Sequence, residues 1–380
     1  MSVWVVVGGQ FGSEGKGKIS AIITLQEEID VCIRCGGPNS GHSFQKQNGE
    51  LVLLRQVPTG FVRPQTRLLI PAGGLVDLDV LRSEVESLGL DASRIGVDRN
   101  AMIITETDRE HERQLGLRER LSSTLCGVGS AVARRTLRGS DVELAGNAAN
   151  HQSWLRPLIT DVSAEANLAV DQGKKVLLEG TQGSGLSIYH AAFYPKTTSR
   201  DTNAAGFLSE VGLSPRVVSE VVLVFRTFPI RVAGIQAGPL RDELTWDQLK
   251  DESGSPEPLQ EYTSVTRKLR RVGRFDWDEA RRAIMLNRPT RLAVNFLDYL
   301  GFENRAACSW DDLNLRAKDF IRQIEGFHVP VGYIGTGPQL SQSLSCASPA
   351  PGSSFSQPFC QAPTQKSTPP SDHASNSEVT

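Results

Sequence analysis

Continuous apolar runs and amphipathic segments alternate along the first 338 residues. The run at 3–7 is apolar throughout, which is typical of a parallel strand buried on both faces. Further strands are predicted at 30–34, 51–57, 67–71, 175–179, 217–225, 292–296 and 328–334. Helices are predicted at 78–88, 108–121, 163–172, 246–250, 276–286 and 311–323. This alternation predicts an α/β fold with a mostly parallel central sheet flanked by helices.

The alternating pattern ends near Pro338. From residue 339 to residue 380, Ser, Pro, Gln and Thr dominate, and apolar periodicity is absent. Such a segment cannot bury enough apolar surface to offset the entropy cost of ordering it. The sequence therefore predicts one folded domain at 1–338 and a disordered, Ser- and Pro-rich tail at 339–380.

Charge and composition exclude several classes of protein. Lys and Arg number 41 and Asp and Glu 43, for a net charge of −2, which argues against a nucleic-acid binder or a protein held on anionic membranes. No apolar run approaches the roughly 18 residues of a membrane span, and MSVWVVVGGQFG lacks the basic lead of a signal peptide. Six scattered cysteines do not suggest a disulfide framework. We expect a cytoplasmic protein that binds neither membrane nor nucleic acid.

Cys32 and Cys35 form a C-x-x-C pair, which raises the alternative of zinc or redox chemistry. A structural zinc site needs a second ligand pair at suitable spacing, and none is evident. Redox pairs normally begin a helix, whereas this pair lies at the end of a predicted strand. Both alternatives are therefore disfavoured.

The first chemical signal is GGQFGSEGKGK at 8–18, between the first strand and a predicted helix. A glycine-rich turn in this place directs backbone N–H groups at an anion, and Lys16 adds positive charge for a phosphoryl oxygen. The segment is not a Walker A loop, because Gln10 stands where its first glycine should be and Gly17 replaces the Ser or Thr after the lysine. It predicts a phosphate site of another kind.

Five motifs, in the same order along 1–338, resemble those of the adenylosuccinate synthetase family. GQFGSEGKGK resembles GQWGDEGKGK, CGGPNSGHS resembles GGxNAGHT, and EGTQGSGL resembles EGAQGTxL. The ARR at 133–135 and the TGP ending at Pro338 have family counterparts too. The resemblance implies an α/β fold related to P-loop NTPases. It also implies a carbon–nitrogen ligase that joins L-aspartate to C6 of a purine 5′-monophosphate. A nucleoside triphosphate first phosphorylates the 6-oxygen, and the aspartate amine then displaces phosphate.

The resemblance assigns roles to the matching residues. The implied catalytic residues are Ser13, Lys16, His42 and Gln182. Lys16 would neutralise the transferred phosphoryl group, and His42, which can hold or release a proton near neutral pH, would act as a general acid. Mg²⁺ is the implied cofactor, with Ser13 and the Gly41 carbonyl as metal ligands. The implied contacts of the purine monophosphate are Ser13, Asn39, Thr124, Arg134, Gln182, Thr198 and Lys268.

Two further binding regions and a dimer follow from the same resemblance. The segment TSVTRKLRRVG at 263–273 resembles the aspartate-binding loop, with Ser264, Val265, Thr266, Arg267 and Arg270 as contacts. The donor nucleotide would contact Ser13, Glu14, Gly15, Lys16, Gly17, Arg270, Asn295, Asp298, Gly335 and Gly337. Arg134 resembles an arginine that reaches the substrate phosphate across a subunit interface, so a homodimer is implied.

Ser13 departs from the family, which has Asp at this position. That Asp takes the N1 proton of hypoxanthine and ligates magnesium, and a serine hydroxyl has neither the charge nor a suitable pKa for either task alone. A carboxylate there would crowd a 2-amino group, whereas serine leaves space for it. The pattern resembles a phage branch of the family that makes 2-amino-2′-deoxyadenylosuccinate from dGMP for diaminopurine DNA, in a host cytoplasm. The alternatives are an IMP- and GTP-using enzyme and a non-catalytic nucleotide-binding remnant. Glu14, a water or the incoming aspartate could deprotonate N1.

Two other departures concern the nucleotides. In Asn295-Phe296-Leu297-Asp298 the aromatic Phe296 replaces the family lysine that lies over a guanine ring, and an aromatic ring stacks on any purine. We therefore expect ATP or dATP as donor, although Phe296 could instead be a core residue at a strand end. Lys268 replaces an arginine that touches the ribose, which fits a change at the 2′ position.

Overall fold

The structure, a computed structural model, describes residues 2–263 and 267–345. Its strands are β1 (Val3–Gly8), β2 (Val31–Arg34), β3 (His42–Gln45), β4 (Leu51–Leu54), β5 (Arg67–Ile70), β6 (Leu75–Val76), β7 (Ile95–Asp98), β8 (Met102–Ile103), β9 (Ile159–Thr160), β10 (Val176–Glu179), β11 (Val218–Arg226), β12 (Ile230–Arg231), β13 (Glu243–Leu244), β14 (Arg271–Gly273), β15 (Arg291–Asn295), β16 (Val331–Gly335) and β17 (Ser343–Ser345). Its helices are α1 (Lys16–Gln26), α2 (Leu78–Ser87), α3 (Glu106–Gln114), α4 (Leu117–Leu121), α5 (Val128–Leu137), α6 (Ala145–Ala148), α7 (Val162–Asp171), α8 (Ala204–Val211), α9 (Trp246–Ser253), α10 (Trp277–Asn287) and α11 (Leu315–Glu325).

A large central sheet organises the described part of the chain. Ten strands lie in the order β17-β16-β15-β11-β1-β10-β2-β5-β7-β9. Adjacent strands are parallel, except that β17 runs antiparallel to β16 at one edge. The predicted α/β fold with a mostly parallel sheet is confirmed.

Strand β1 lies near the middle of this sheet and is buried along its whole length. Because successive side chains of a strand point to opposite faces, Val3, Val5 and Val7 pack into one hydrophobic core and Trp4 and Val6 into another. Two cores on opposite faces explain why the strand has no polar position to break its apolar run.

The carboxyl ends of four neighbouring parallel strands meet at one edge of the sheet. They are Gly8 on β1, Glu179 on β10, Arg226 on β11 and Asn295 on β15. Ligands of open α/β sheets bind outside this edge. The loops that leave these four ends therefore define where a ligand site is expected.

Two predicted elements differ from the structure. The strand predicted at 51–57 is the shorter β4, which pairs antiparallel with β3 in a separate ribbon rather than joining the central sheet. The helix predicted at 108–121 is two helices, α3 and α4, because Gly116 adopts φ 62° between them.

The domain boundary predicted at residue 338 is too early. Ser343–Ser345 forms β17, and Leu344 is fully buried against the sheet edge. A strand of three residues is too short to produce a recognisable period in the sequence. The remainder of the predicted tail, 346–380, lies outside the described residues.

Candidate active site

The loop between β1 and α1 is organised around its own carboxylate. Glu14 is fully buried, and its Oε1 accepts hydrogen bonds from the backbone nitrogens of Gln10 and Gly12 at 3.1 and 2.8 Å. Its Oε2 pairs with Lys16 Nζ at 2.6 Å. Glu14 is therefore an internal brace that holds Lys16, and it lines neither cavity described below. This arrangement argues against Glu14 as the base that takes the N1 proton.

Two cavities adjoin at this loop. The larger encloses about 350 Å³ and the smaller about 210 Å³. Ser13, Gly41 and Arg270 line both cavities, so they stand at the junction. Such a pair of cavities can hold two ligands side by side, with their reactive ends meeting at the shared residues.

The larger cavity collects most of the residues that the sequence assigned to the purine monophosphate. Asn39, Thr124, Gln182 and Thr198 all line it. They come from loops far apart in the chain, and Gln182 adopts φ 59° in the turn after β10. Only the fold brings these four side chains together.

The smaller cavity collects residues assigned to the triphosphate donor. Gly15, Lys16 and Gly17 line it together with His42 and Phe296. Phe296 is half-buried at the end of β15 and also adopts a positive φ of 66°. Its ring faces a cavity, so it is not simply a core residue at a strand end.

His42 is held by a buried carboxylate that sequence reasoning did not single out. Its Nδ1 lies 2.5 Å from Oε1 of Glu179, and this oxygen also accepts a hydrogen bond from Arg34. The other oxygen, Oε2, accepts hydrogen bonds from the Thr59 backbone nitrogen and hydroxyl. Burial, and then the nearby Arg34 charge, lower the pKa of His42 to about 4. The ring is thus neutral at pH 7 in the free protein, unlike the expected group that titrates near neutrality. Glu179 is the first residue of the EGTQGSGL motif. A charged residue at the end of an apolar strand was the signal in the sequence that could have identified it as a site residue.

The basic segment, by which we mean residues 267–273, contributes part of the junction. Arg270 lines both cavities, and Arg267 lines the smaller one. Burial lowers the pKa of Arg270 without removing its charge at neutral pH. Lys268 is exposed and lines neither cavity, so the structure does not bring it to the predicted ribose contact. The predicted aspartate contacts Ser264, Val265 and Thr266 lie outside the described residues.

Besides Glu14, four residues assigned to the donor do not line the smaller cavity. Asn295 Nδ2 donates to the Glu14 carbonyl at 2.7 Å, and Gly335 packs against the Asn295 side chain. Asp298 is buried and pairs with Arg305 at 2.8 Å. The fourth, Gly337, has its carbonyl bound to Lys18.

Lys18 links α1 to the segment after β16. Its buried Nζ donates to the carbonyls of Gly337 and Gln342, each at 2.6 Å. Burial, opposed by the charge of Asp298, lowers the pKa of Lys18 to about 7. The second lysine of the glycine-rich motif is therefore a structural tie.

Arg134 lies on α5, away from both cavities of its own chain. Its Nη2 pairs with Asp108 at 2.7 Å. A contact with a substrate phosphate would have to come from a second subunit, so the homodimer stays a prediction.

The junction supplies oxygen ligands of the kind that magnesium prefers. The Ser13 hydroxyl and the Gly41 carbonyl are hard but uncharged donors. Across residues 2–263 and 267–345, no cluster of three or more His, Cys, Asp or Glu could hold a metal ion unaided. The residues fit an ion that is shared with nucleotide phosphates, whose oxygens would supply the negative charge.

The fold and site together define a nucleotide-dependent enzyme of the α/β class. The sequence model of adenylosuccinate synthetases matches residues 5–145 and 140–305. The adenylosuccinate synthetase of Pyrococcus horikoshii is 42% identical over 345 residues, covering 90% of this chain and 97% of that protein. That of Methanocaldococcus jannaschii is 39% identical over 352 residues, covering 90% and 95%. The chain therefore belongs to the adenylosuccinate synthetase family and is a carbon–nitrogen ligase.

Solved structures similar to this one include two enzymes of known name. Succinoaminodeoxyadenylate synthetase of cyanophage S-2L, bound to dGMP and to dATP as an energy donor, is 28% identical, with a TM-score of 0.78. The match covers 90% of this chain and 95% of the cyanophage chain. Adenylosuccinate synthetase of Plasmodium falciparum, 22% identical with a TM-score of 0.79 over 90% and 99% of the two chains, shares the fold. In the described residues, no helix is long and apolar enough to cross a membrane.

Proposed function

We propose that this ligase joins L-aspartate to C6 of dGMP, with ATP or dATP as donor and Mg²⁺, to give 2-amino-2′-deoxyadenylosuccinate. The observation that carries the proposal is Ser13, an uncharged side chain at the junction of the two cavities. The similar cyanophage protein, whose structure holds dGMP and dATP, adds support.

The position of Ser13 determines which purine edge the junction accepts. The family's Asp there would place a negative charge beside N1 and crowd a group on C2. A serine is shorter, and its hydroxyl can accept a hydrogen bond from a 2-amino group. Glu14, the neighbouring carboxylate, is occupied by Lys16 and the loop, so it does not restore the missing charge at the cavity.

The reaction divides into two steps at the junction. The γ-phosphoryl group moves from the donor to the 6-oxygen of the purine, and the aspartate amine then attacks C6 as phosphate leaves. Lys16 neutralises charge during the transfer, and Arg270 attracts the dicarboxylate or the phosphoryl group. Magnesium, held by Ser13, Gly41 and the phosphates, would supply further charge neutralisation when bound.

His42 acts at the oxygen that leaves C6. The ring is neutral in the free protein, with its Nδ1 proton directed at Glu179. Two anionic nucleotides placed beside the buried ring favour its protonated form and raise its pKa. In that state Nε2 carries a proton and can donate it to the 6-oxygen or its phosphate.

The smaller cavity suits an adenine donor. Phe296 presents an aromatic face there, and stacking does not distinguish one purine from another. Asp298, which would mark a guanine donor in the family, is engaged by Arg305. We therefore propose ATP or dATP in preference to GTP.

The second candidate is synthesis of adenylosuccinate from IMP and GTP. It is favoured by the archaeal relatives, which share about 40% identity over nine-tenths of this chain and are adenylosuccinate synthetases by name. A non-catalytic remnant is the third candidate. Against it, Lys16, His42 and Gln182 all line the cavities, and a binding remnant would have no use for the buried His42–Glu179 pair.

A substrate panel tests the proposal. The protein is incubated with L-aspartate, Mg²⁺ and either ATP or GTP, and dGMP, GMP or IMP is offered separately. Succinylated product from dGMP with ATP is expected, measured by chromatography and mass. Product from IMP alone would reject the proposal, and no product from any monophosphate would favour the remnant. A Lys16→Met variant, which removes the charge at the transferred phosphoryl group, serves as the inactive control.

A further inference from the structure

Arg226, at the end of β11, is fully buried against the glycine-rich loop. Its backbone nitrogen donates to Gln10 Oε1 at 3.0 Å, and Gln10 Nε2 donates to the Arg226 carbonyl at 3.1 Å. These two bonds fix the end of β11 to the loop. The side chain then extends past the loop toward the basic segment.

The guanidinium joins two parts of the site. Its Nη1 donates to the Ser13 carbonyl at 3.0 Å and to Glu261 Oε2 at 3.1 Å, and its Nη2 donates to the other Glu261 oxygen. The Glu261 carbonyl in turn accepts from the backbone nitrogen of Arg270 at 2.8 Å. One chain of contacts therefore runs from Ser13 to Arg270, and both of these residues line both cavities.

Arg226 also neutralises a carboxylate at the donor cavity. Glu261 lines the smaller cavity, where the triphosphate is proposed to bind. An unpaired carboxylate there would repel the phosphates, because like charges in a partly desolvated cavity are weakly screened. The guanidinium also lies 3.9 Å from the centre of the Phe296 ring, so it supports the aromatic side chain that lines the same cavity.

We propose that Arg226 is a positioning residue that sets the glycine-rich loop against the basic segment and keeps Glu261 neutralised beside the donor phosphates. No feature of the sequence distinguished it, because its partners at 10, 13 and 261 are far away along the chain. The proposal rests on the ligase activity above. It does not depend on which purine is used, so it is tested with any monophosphate that the unmodified protein turns over.

Three variants separate the positioning role of Arg226 from its neutralisation of Glu261. Arg226→Lys keeps the charge but loses the two-armed contact with Glu261. Arg226→Met removes both the charge and the contact. The double variant Arg226→Met with Glu261→Gln also removes the negative charge that Arg226→Met leaves unpaired on Glu261. Arg67→Lys is the matched control, because Arg67 makes a two-armed pair with Glu165 outside both cavities.

The variants should change the KM for aspartate and the KM for the donor nucleotide differently. In Arg226→Lys the KM for aspartate should rise about tenfold, while kcat changes less than about threefold. In Arg226→Met the KM for the donor should rise too, and adding Glu261→Gln should bring it back to within about threefold of the unmodified protein. The aspartate KM should stay raised in the double variant, and all KM values should be unchanged in Arg67→Lys. Unchanged KM values in both single variants, or no recovery in the double variant, would overturn the proposal.

A structural readout covers the case in which no monophosphate is turned over, which would refute the proposed function alone. Arg267 and Lys268 are exposed tryptic sites in the basic segment. Cleavage at these two sites, followed by mass spectrometry, should be about tenfold faster in Arg226→Lys than in the unmodified protein or in Arg67→Lys. Equal cleavage rates would show that Arg226 does not hold the segment.

Discussion

His42 Nδ1 and Glu179 Oε1 lie 2.5 Å apart in the buried wall between the central sheet and the smaller cavity. The carboxylate fixes the ring with its Nδ1 proton directed inward. His42 Nε2, which has no hydrogen-bond partner among the described residues, is left for a ligand. Glu179 itself lines neither cavity, so it acts on the reaction through the groups that it holds, and His42 is the one that lines the smaller cavity.

Glu179→Gln should therefore lower kcat with little change in the KM values. An amide preserves the shape of the side chain but cannot stabilise a protonated imidazole, so we expect about a 10²-fold lower kcat, the usual scale of acid–base assistance. Glu84→Gln is the matched control. Glu84 is also buried and accepts three backbone hydrogen bonds, from Arg55, Gln56 and Val57, but it lies away from the site. Steady-state kinetics and thermal unfolding of both variants separate a catalytic effect from a loss of stability, and an equal loss of kcat in both would contradict the assigned role.

The lowered pKa of His42 predicts how stability depends on pH. Between its ordinary value of 6.5 and about 4, the unfolded chain binds a proton at His42 that the folded chain does not. The contribution of His42 to the free energy of unfolding is therefore constant above pH 6.5. That free energy falls as pH falls toward 4, by about 3 kcal/mol in total. Denaturant unfolding from pH 7 to 4.5 should therefore show a steeper loss in the unmodified protein than in His42→Asn.

Two other buried carboxyl groups do not reverse the sign of this comparison. Burial raises the pKa of Glu179, but interaction with His42 and Arg34 outweighs burial and lowers it to about 2, so its contribution in the unmodified protein falls below pH 4.5. His42→Asn removes part of that lowering, and a higher pKa of Glu179 makes the loss of stability on acidification shallower still in the variant. Burial raises the pKa of Glu210 to about 7, which makes the folded state more stable as pH falls, but equally in both proteins. Parallel unfolding curves for the unmodified protein and His42→Asn would show that the ring is not buried as a neutral group.

Ser13→Asp tests the choice of purine. The carboxylate should crowd the 2-amino group and lower kcat/KM for dGMP about 10- to 100-fold, the range expected when a buried polar group loses its partner. Ser13→Ala, which keeps the space but removes the hydroxyl, is the comparison and should retain more dGMP activity than Ser13→Asp. Initial rates with dGMP and IMP measure both variants. An unchanged dGMP rate in Ser13→Asp would show that position 13 does not select the purine.

The parts of the molecule that sequence reasoning predicted best are those with a local cause. The apolar run of β1 and the glycine-rich turn after it can be recognised without tertiary information, because burial on both faces and close ligand approach each require those residue types. Lys16 and His42 could be placed at the site because they belong to contiguous motifs. The structure brings both of them to the smaller cavity.

The parts that could not be predicted depend on contacts across the fold. Lys18 belongs to the same motif as Lys16, yet it ties α1 to carbonyls more than 300 residues away. Glu179 and Arg226 are ordinary polar ends of apolar strands in the sequence, and their roles follow from partners on other strands and loops. Asp298 is a further case, because its motif suggested a ligand contact, which stays a prediction, while the partner that the fold gives it is Arg305.

Phe296→Leu tests the aromatic wall of the donor cavity. Leucine fills similar space without a stacking face, so the KM for ATP should rise about three- to tenfold, as expected for the loss of one aromatic contact. The matched control is Phe302→Leu, since Phe302 also lies under an arginine, Arg305, at 4.4 Å but outside both cavities. Donor titrations at saturating monophosphate and aspartate give the comparison. An unchanged KM for ATP in Phe296→Leu would place the donor base elsewhere.

Truncation defines where the folded domain ends. A chain that stops after Ser345 keeps the buried Leu344, strand β17 and the bond from Lys18 to Gln342, so its melting temperature and activity should equal those of the full chain. A chain that stops after Pro338 loses all three. Burial of a leucine and one charge-assisted hydrogen bond amount to about 4 kcal/mol, which corresponds to a melting temperature about 5 °C lower for a domain of this size. Calorimetry of the two truncated proteins measures the difference, and equal melting temperatures would mean that β17 adds nothing to the stability of the sheet.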